Sequence, residues 1–305
     1  MESWLISLQP WGAQVILLIQ AHRSGLFDAL FLAASGLGSS YGLFALSLLA
    51  YWCVDKRLGA NLWATAILSY YVNTWVKYLF QVPRPADPRI AVLWPEASPS
   101  FPSGHAQNSL VLAGYVAAWG RRAWLWAIGA VLVALIAFSR VYIGVHYPQD
   151  IAGGALLGAA FLGLYLWLGD GIVTPWLRRL PPAAVIGLAA PAAGLMLLLY
   201  PRAAAPNTAS QLAGLLLGLG VGVALEKRYV RFSVAGAFQQ RALRFAVGIA
   251  LSLAIYAAPA PLLRLSLPAA AELVIILTRH ALFACAAMVG APWLFGRLRL
   301  AQVDS

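Results

Sequence analysis

The sequence predicts an all-α fold, a polytopic bundle of transmembrane helices. Hydrophobic residues make up 62% of the chain and charged residues only 10%, whereas soluble domains average about 45–50% apolar and about 25% charged residues. Apolar runs recur from one end of the chain to the other, and a helix needs about 20 residues to cross a bilayer. Because these runs are continuous rather than alternating, we expect helices, and not a closed barrel, to satisfy the backbone hydrogen bonds in lipid.

The apolar runs predict nine membrane-crossing helices. The segment before them, residues 11–38, is too polar for one clean span, so an interfacial or re-entrant helix pair and a tenth, broken crossing are both open. We therefore expect an N-terminal interfacial or re-entrant segment at 1–40, a core at 41–170 and additional transmembrane helices at 171–305. The nine spans lie near residues 41–54, 60–79, 105–120, 123–140, 148–168, 183–200, 207–226, 244–258 and 268–290.

The charge distribution argues against nucleic acid as a partner and predicts an orientation in the membrane. The net charge is +11, but the basic residues are scattered at the ends of apolar segments and do not form one basic face. Alternate loops taken as one face collect thirteen lysines and arginines, and the positive-inside rule makes that face cytoplasmic. Residues 77–104 and 140–150 then share the opposite face, periplasmic in a bacterium or lumenal in an organelle. The thirteen are Lys56, Arg57, Arg121, Arg122, Arg178, Arg179, Lys227, Arg228, Arg231, Arg241, Arg244, Arg297 and Arg299.

Two polar segments flank the first long loop on the non-cytoplasmic face. Lys77 and Arg84 are seven residues apart where a span meets a proline-rich loop; alone, they are also typical of a snorkelling lysine and a loop end. Further on, Ser103 is suited to cap the next span, Gly104 lets an anion approach the backbone, and His105 lies one residue inside the helix. The exposed N–H groups and the helix dipole there can bind an anion. A capped helix with an interfacial histidine is the structural alternative.

The third polar segment, at another span boundary, contains Arg140, His146 and Asp150. His146 and Asp150 are four residues apart, so they share a helix face if Pro148 lies in the first turn of the next helix. A carboxylate at this position fixes the tautomer of an imidazole and leaves its other nitrogen free to attack, as in covalent catalysis. Alone, such a pair is more often a structural hydrogen bond.

The predicted topology brings the three segments to one face of the membrane. Ionisable groups at membrane depth are costly and therefore indicate function. Three cations with backbone N–H donors can neutralise the charged oxygens of a phosphoryl group, whose transfer depends mainly on positioning and charge stabilisation. Two histidines can supply a nucleophile and an acid. The combination predicts an enzyme that acts on phosphate.

The three segments resemble the motifs Lys-x6-Arg-Pro, Pro-Ser-Gly-His and Ser-Arg-x5-His-x3-Asp of the type-2 phosphatidate phosphatase superfamily, in order and at every motif position. The resemblance covers residues 77–150 directly and implies a six-helix phosphatase core and a lipid phosphate phosphatase activity. It implies that His146 attacks phosphorus to form a phosphohistidine, that His105 protonates the leaving alcohol and then activates water, and that Asp150 orients His146. Phosphate oxygens would be held by Lys77, Arg84, Ser103, Gly104 and Arg140.

No metal and no other cofactor is expected. That family needs no metal, and the sequence has no carboxylate cluster that would hold magnesium. Cys53 and Cys285 both lie in predicted spans, so neither a disulfide nor a thiolate metal site is expected. The extra C-terminal helices and the polar N-terminal segment resemble the glucose-6-phosphatase and sphingosine-1-phosphate phosphatase branch in topology. Among those helices, Glu272 and Arg279 are expected to form a structural or dimer-contact pair, which leaves a homodimer open.

The expected substrate is a lipid phosphate monoester or diphosphate, whose tail stays in the bilayer while its headgroup reaches the cations. Phosphatidate, a sphingoid-base phosphate, an isoprenoid phosphate and phosphatidylglycerophosphate all fit. A soluble sugar phosphate such as glucose 6-phosphate is the alternative substrate. Two other classes are open: a catalytically idle transporter or scaffold, against which the intact His105, His146 and Asp150 argue, and a phosphotransferase that passes the phosphoryl group to another acceptor.

Overall fold

The computed structural model describes residues 2–303, and the side chains of residues 4–303. Within that part of the chain the regular structure is helical, and the single extended pairing is an antiparallel bridge between Phe232 and Val303. The predicted all-α fold is confirmed, and the chain is an integral membrane protein.

The chain folds into two compact units. Unit 1 contains Met1–Ala45 and Leu68–Asp170, and unit 2 contains Leu46–Ile67 and Gly171–Ser305. Neither unit is one continuous stretch, because residues 46–67 of unit 2 lie between the two stretches of unit 1 in the sequence. The predicted N-terminal, core and C-terminal regions stay a prediction.

The polar motifs lie at the ends of helices in the first half of the chain. The first eight helices are α1 (Glu2–Ser7), α2 (Gln9–Gln20), α3 (Gly25–Gly38), α4 (Ser40–Cys53), α5 (Lys56–Phe80), α6 (Gly104–Gly120), α7 (Ala123–Tyr142) and α8 (Pro148–Leu164). A π-helical stretch, Tyr165–Val173, then continues α8 into α9 (Thr174–Arg179). The later helices are α10 (Pro182–Leu198), α11 (Pro206–Leu225), α12 (Phe238–Ala257), α13 (Ala269–Cys285) and α14 (Ala291–Arg297), with π turns at Glu226–Val230 and Ala286–Gly290 and a 3₁₀ turn at Ala260–Arg264.

Every one of the nine predicted spans coincides with a helix, but fewer pass a test of length and apolarity. Among the described residues five helices are long and apolar enough to cross a membrane, or up to six if the bent pair α3 and α4 is one span. Helices α6 and α10 have 17 residues each, and α5 has 25 residues but carries polar side chains such as Asn73 and Lys77. Nine crossings therefore stays a prediction.

The polar N-terminal segment forms two helices, α2 and α3, joined by a short turn. Ser24 caps α3 by accepting the N–H of Phe27 at 3.3 Å. Asp28 pairs with Arg23 and accepts the hydroxyl of Tyr142 at 2.7 Å, so this segment is bound to the end of α7. Helix α3 meets α4 at a 59° bend, which fits a broken span or a re-entrant loop.

The expected pair between Glu272 and Arg279 does not form in the described part of the chain. Arg279 Nε donates to the carbonyl of Tyr256 at 2.6 Å, and its guanidinium lies 3.7 Å from the centre of the Tyr256 ring. The carbonyls of the last helical turn have no partner within their own helix, and they form the negative end of its dipole. Arg279 therefore stabilises the end of α12 without a carboxylate.

Two glycines on α8 allow α8 to pack closely against the start of α6. A methyl group on Gly154 would overlap the carbonyl oxygen of Ser103 and lie 3.2 Å from Ala106 Cβ. One turn later, a methyl group on Gly158 would lie 2.9 Å from the carbonyl oxygen of Gln107. This contact brings the first turns of the two helices together, and Ser103 N donates to the carbonyl of Asp150 at 2.9 Å.

A buried polar network joins α5 to the first turns of α6. Ser69 donates to Asn108 at 2.6 Å, and Gln107 donates to the Ser69 carbonyl at 2.9 Å. Asn73 donates to the Gln107 side chain at 2.8 Å and to the carbonyl of Pro102 at 3.4 Å. A fully paired buried network specifies one arrangement of its helices, so it fixes the position of the residues that precede α6.

Candidate active site

The structure brings the three predicted segments together within unit 1. His146 lies in the short loop between α7 and α8, and Asp150 lies in the first turn of α8. Pro148 begins that helix, as predicted. His146 Nδ1 lies 3.3 Å from Asp150 Oδ2, and the same oxygen accepts the N–H of Tyr147 at 2.9 Å. Both side chains of the pair are at most 1% exposed, so this carboxylate orients an imidazole in a site shielded from solvent.

Ser100 completes this arrangement, although the sequence assigned it no role. Its hydroxyl donates to Asp150 Oδ2 and lies 3.3 Å from His146 Nδ1. We assign the ring proton of His146 to Nδ1, because that nitrogen faces the carboxylate. The lone pair is then on Nε2, which lies 3.4 Å from Arg84 Nη1. Burial and the nearby cations, above all Arg84, hold the pKa of His146 well below its ordinary value, so the imidazole is neutral and can act as a nucleophile.

Arg84 binds several groups in and around the loop that follows α5. Its Nε donates to the carbonyl of Ser98 at 2.7 Å, and its Nη1 donates to the carbonyl of Val145 at 2.8 Å. Its Nη2 donates to Glu96 at 2.8 Å and to the Ser98 hydroxyl at 3.2 Å. The guanidinium therefore holds the loop next to His146 while one edge of it binds a carboxylate.

Arg140 is fully buried and lies near Arg84. Its two terminal nitrogens donate to the hydroxyl of Ser35 on α3 and to the carboxylate of Glu96. Its Nε is buried without a hydrogen-bond partner among the described residues. Burial raises the pKa of Glu96, but Arg140 and Arg84 outweigh that effect and hold the pKa of its carboxyl below the ordinary value. Glu96 is therefore a carboxylate that bridges two arginines.

Lys77, at the end of α5, is buried and directed toward the same loop. Its ammonium donates to the carbonyl of Pro99 and, at 3.3 Å, to the carbonyl of Ser100. Lys77 thus holds the backbone that carries Ser100. Its expected contact with phosphate stays a prediction.

The segment before α6 holds Ser103 at the helix N-cap, as predicted, but the hydroxyl makes no capping bond. That hydroxyl is buried and has no hydrogen-bond partner in the described chain. A methyl group on Gly104 would lie 3.0 Å from Asn73 Oδ1, so a larger residue there would require the Asn73 side chain to shift. His105 lies in the first turn of α6, where Gly38 of α3 packs so closely that its Cβ would be 3.1 Å from the imidazole Cδ2.

Four residues of this region were missed or left without a role by the sequence. Ser35 and Asn73 lie inside apolar helices, and nothing in their sequence surroundings indicates a site. Glu96 is one of two acids in the loop of residues 80–104, so its charge carried a signal. Ser100 is five residues before His105, inside the segment of interest, and its type alone suggested a hydrogen bond.

The described residues of this region do not provide a set of side chains that could bind a metal ion. Within residues 2–303, no group of three or more His, Cys, Asp or Glu side chains could hold a metal ion together. Cys53 and Cys285 are unpaired thiols. The expected independence from metals stays a prediction.

Known protein families agree with the motifs. Residues 58–172 match the PAP2 superfamily, and residues 210–303 match the PAP2 superfamily phosphatase, transmembrane extension. The second match falls on helices α11 to α14, which the sequence predicted as additions to the core.

Individual relatives match parts of the chain. Lipid phosphate phosphatase delta of Arabidopsis thaliana is 30% identical over 187 residues, which cover 53% of this chain and 45% of the plant protein. Undecaprenyl-diphosphatase of Sulfolobus acidocaldarius is 27% identical over 154 residues, which cover 49% of this chain and 74% of that protein. The match thus spans less than half the length of the plant relative.

Among solved structures, the first transmembrane PAP2 type phosphatidylglycerolphosphate phosphatase from Bacillus subtilis aligns with 54% of this chain and 88% of its own, with a TM-score of 0.48 and 23% identity. The first family match ends within the π-helical stretch that follows α8, and the second begins within α11. The chain contains a PAP2 superfamily domain at residues 58–172 and that superfamily's transmembrane extension at residues 210–303.

Proposed function

We propose that this chain is an integral membrane phosphatase that hydrolyses a lipid phosphate monoester or diphosphate through a phosphohistidine on His146. One observation supports it above all others. The Nδ1 side of His146 is held by Asp150 and Ser100, while its Nε2 faces the guanidinium of Arg84. A buried, neutral imidazole that is oriented on one side and faces a cation on the other is suited to attack an anionic phosphorus centre.

The reaction has two steps. In the first, His146 Nε2 attacks the terminal phosphorus, the bond between that phosphorus and the leaving oxygen breaks, and His105 gives its proton to this oxygen. The leaving group is an alcohol for a monoester and a lipid monophosphate for a diphosphate. In the second, His105 takes a proton from water, the resulting hydroxide attacks phosphorus, and the nitrogen–phosphorus bond breaks. Inorganic phosphate leaves, and both histidines return to their starting states. Asp150 holds the Nδ1 proton of His146 throughout and stabilises the positive charge that develops on the ring.

The charged oxygens of the phosphoryl group need several donors, and the region offers them. Arg84 and Arg140 are buried cations, and charge-assisted hydrogen bonds are the strongest that a side chain can give to phosphate. Arg140 Nε and the Ser103 hydroxyl are buried without partners in the described chain. Unpaired buried polar groups are rare in folded proteins, which supports a role for these two as phosphate ligands with Gly104 and Lys77.

The substrate is proposed to be a lipid because the site lies at the ends of membrane helices. A lipid can leave its tail in the bilayer while its phosphate enters the site. The relatives named for lipid phosphate and undecaprenyl diphosphate support this choice. The positive-inside distribution of lysine and arginine supports a site on the periplasmic or lumenal face.

Purified protein should release inorganic phosphate from lipid phosphates in the presence of a chelator, and faster than from glucose 6-phosphate. His146→Ala should reduce this release by about a thousandfold or more, since loss of a nucleophile removes the covalent route. His22→Ala is the matched control, because His22 is exposed and far from the motifs in sequence.

Three results would overturn parts of the proposal. No release from any lipid or sugar phosphate would contradict the enzyme and favour a transporter or scaffold. Release that stops in chelator would contradict the metal-free reaction. Phosphate that appears on an added alcohol, and not in water, would identify a phosphotransferase.

A further inference from the structure

Glu96 occupies the two guanidinium edges that a phosphate would need. Its Oε2 accepts from Arg84 Nη2 at 2.8 Å, and its Oε1 accepts from Arg140 Nη2. A carboxylate and a phosphate make the same kind of charge-assisted contact with a guanidinium. The two anions therefore compete for the same donors.

The remaining donors of the two arginines do not remove this competition. Nε and Nη1 of Arg84 bind the carbonyls of Ser98 and Val145, and Nη1 of Arg140 binds Ser35. Only Arg140 Nε is without a partner among the described residues. A phosphate placed between the two guanidinium groups would use Nη2 of each arginine, and Glu96 holds both of these nitrogens.

The structure also indicates which partner can move. The Glu96 side chain is 26% exposed, whereas Arg140 is 1% exposed and Arg84 is 13% exposed. Glu96 lies on the irregular loop between Leu93 and Ser98. The N–H of Leu93 donates to the carbonyl of Ile143, and the carbonyl of Ser98 accepts from the Arg84 side chain. Within residues 2–303, Trp94, Pro95 and Ala97 make no hydrogen bond.

From these contacts we infer that Glu96 is an internal competitor of phosphate, which closes the arginine pair in the free protein and is displaced by the phosphoryl group of the substrate. This inference rests on the proposed function for the identity of the ligand, and it makes Glu96 a determinant of anion affinity. Displacement costs the ion pairs that Glu96 makes, so every anion binds more weakly than the two arginines alone would allow.

The competition also has a structural benefit. Two arginines close together repel each other, and a bridging carboxylate offsets one of their two charges while the site holds no anion. The pair is thus kept in place before substrate arrives. Removal of the carboxylate charge leaves two cations that attract any phosphate more strongly.

The test compares two variants that each remove one negative charge from the same loop. Glu96→Gln keeps the size of the side chain but cannot bridge two guanidinium groups as an anion. Asp87→Asn is the control, because Asp87 pairs with the exposed Arg89 and makes no contact with Arg84 or Arg140. Binding of inorganic phosphate is measured as competitive inhibition of phosphate-ester hydrolysis and, independently of activity, as the shift in melting temperature caused by added phosphate.

Glu96→Gln should bind inorganic phosphate about tenfold more tightly than the native protein by both readouts, and Asp87→Asn should bind it as the native protein does. Unchanged or weaker binding in Glu96→Gln would overturn the inference. Glu96→Ala, which removes the carboxylate altogether, should tighten binding in the same direction if Glu96→Gln does not fold. A native protein that binds phosphate but hydrolyses no ester would contradict the proposed function alone, since the melting readout still tests Glu96.

Discussion

At the scale of single residues, the orientation of His146 depends on the carboxylate of Asp150, which three hydrogen-bond donors surround. Asp150 Oδ2 accepts from the Ser100 hydroxyl and the Tyr147 N–H, and it lies 3.3 Å from His146 Nδ1. The first two contacts fix the carboxylate before it acts on the imidazole. Ser100 fixes the carboxylate that orients the imidazole. Such a residue affects the reaction rate because it sets the geometry of the attacking group, and it has little effect on the binding of substrate.

Ser100→Ala should therefore lower kcat and leave KM nearly unchanged. A hydrogen bond to a charged group contributes about 1.5–3 kcal/mol, so a loss of about tenfold or more in kcat is expected. Steady-state kinetics with a lipid phosphate measures both constants. Ser210→Ala, a buried serine of α11, is the control and should be silent; a rise in KM at constant kcat for Ser100→Ala would indicate that Ser100 contacts substrate instead.

The proposed acid role of His105 predicts a dependence on the leaving group. An alkyl alcohol needs a proton in order to leave, whereas an activated phenol does not. His105→Ala should therefore lose more activity with an alkyl phosphate than with an aryl phosphate. Equal losses with the two esters, measured as kcat/KM, would contradict the acid role and indicate that His105 only binds phosphate.

At the scale of helices, the packing of α8 on α6 positions Ser103 and Asp150 relative to each other. Gly154 lies beneath Ser103, and an added methyl group there would overlap a backbone oxygen that cannot rotate away. Extra atoms in a well-packed contact cost about 1–3 kcal/mol. The hydrogen bond from Ser103 N to the carbonyl of Asp150 lies at the same contact. A substitution that separates the two helices should therefore also lower the rate of hydrolysis.

Gly154→Ala should lower the free energy of unfolding by about 1–3 kcal/mol and reduce phosphate release. Gly163→Ala, in the same helix, is the control because a methyl group there would meet nothing within 4 Å. Alanine is the better helix former, so this control should be neutral or slightly stabilising. Thermal unfolding in detergent measures both, and equal melting temperatures would show that α8 can shift without cost.

Most helix positions could be predicted from the sequence, because apolar runs determine where membrane helices form. Each of the nine predicted spans contains a helix, and Pro148 starts α8 as expected. The sequence placed a boundary near residue 40, but it did not predict the 59° bend between α3 and α4. The pairing of Glu272 with Arg279 within one chain was wrong, because helical spacing shows only which residues share a face, and Arg279 donates to the carbonyl of Tyr256 on α12 instead.

At the scale of the whole molecule, the contacts that complete the site join distant parts of the chain. Arg140 binds Ser35 across 105 residues, Ser100 binds Asp150 across 50, and Glu96 binds Arg140 across 44. The motif residues could be predicted because they lie together in short segments at span boundaries. Their partners could not, since a serine within an apolar helix has no local feature that distinguishes it from any other.

The predicted orientation of the chain can be tested on the loop that carries Glu96. Ala97 is exposed, so a cysteine placed there, in a protein without other cysteines, should react with an impermeant thiol reagent from the non-cytoplasmic side. A cysteine at Arg228, on the predicted cytoplasmic face, should react only after permeabilisation. The opposite pattern would reverse the topology and place the site on the cytoplasmic face.

The most direct test of the proposed mechanism is to trap the phosphoenzyme. Protein mixed with a substrate labelled in its terminal phosphate is quenched within one turnover, and the label is mapped on peptides. A phosphohistidine at His146 is expected, absent in His146→Ala and longer-lived in His105→Ala, because water activation is then slow. Turnover that leaves no label on His146 in either the native protein or His105→Ala would contradict nucleophilic attack by this histidine.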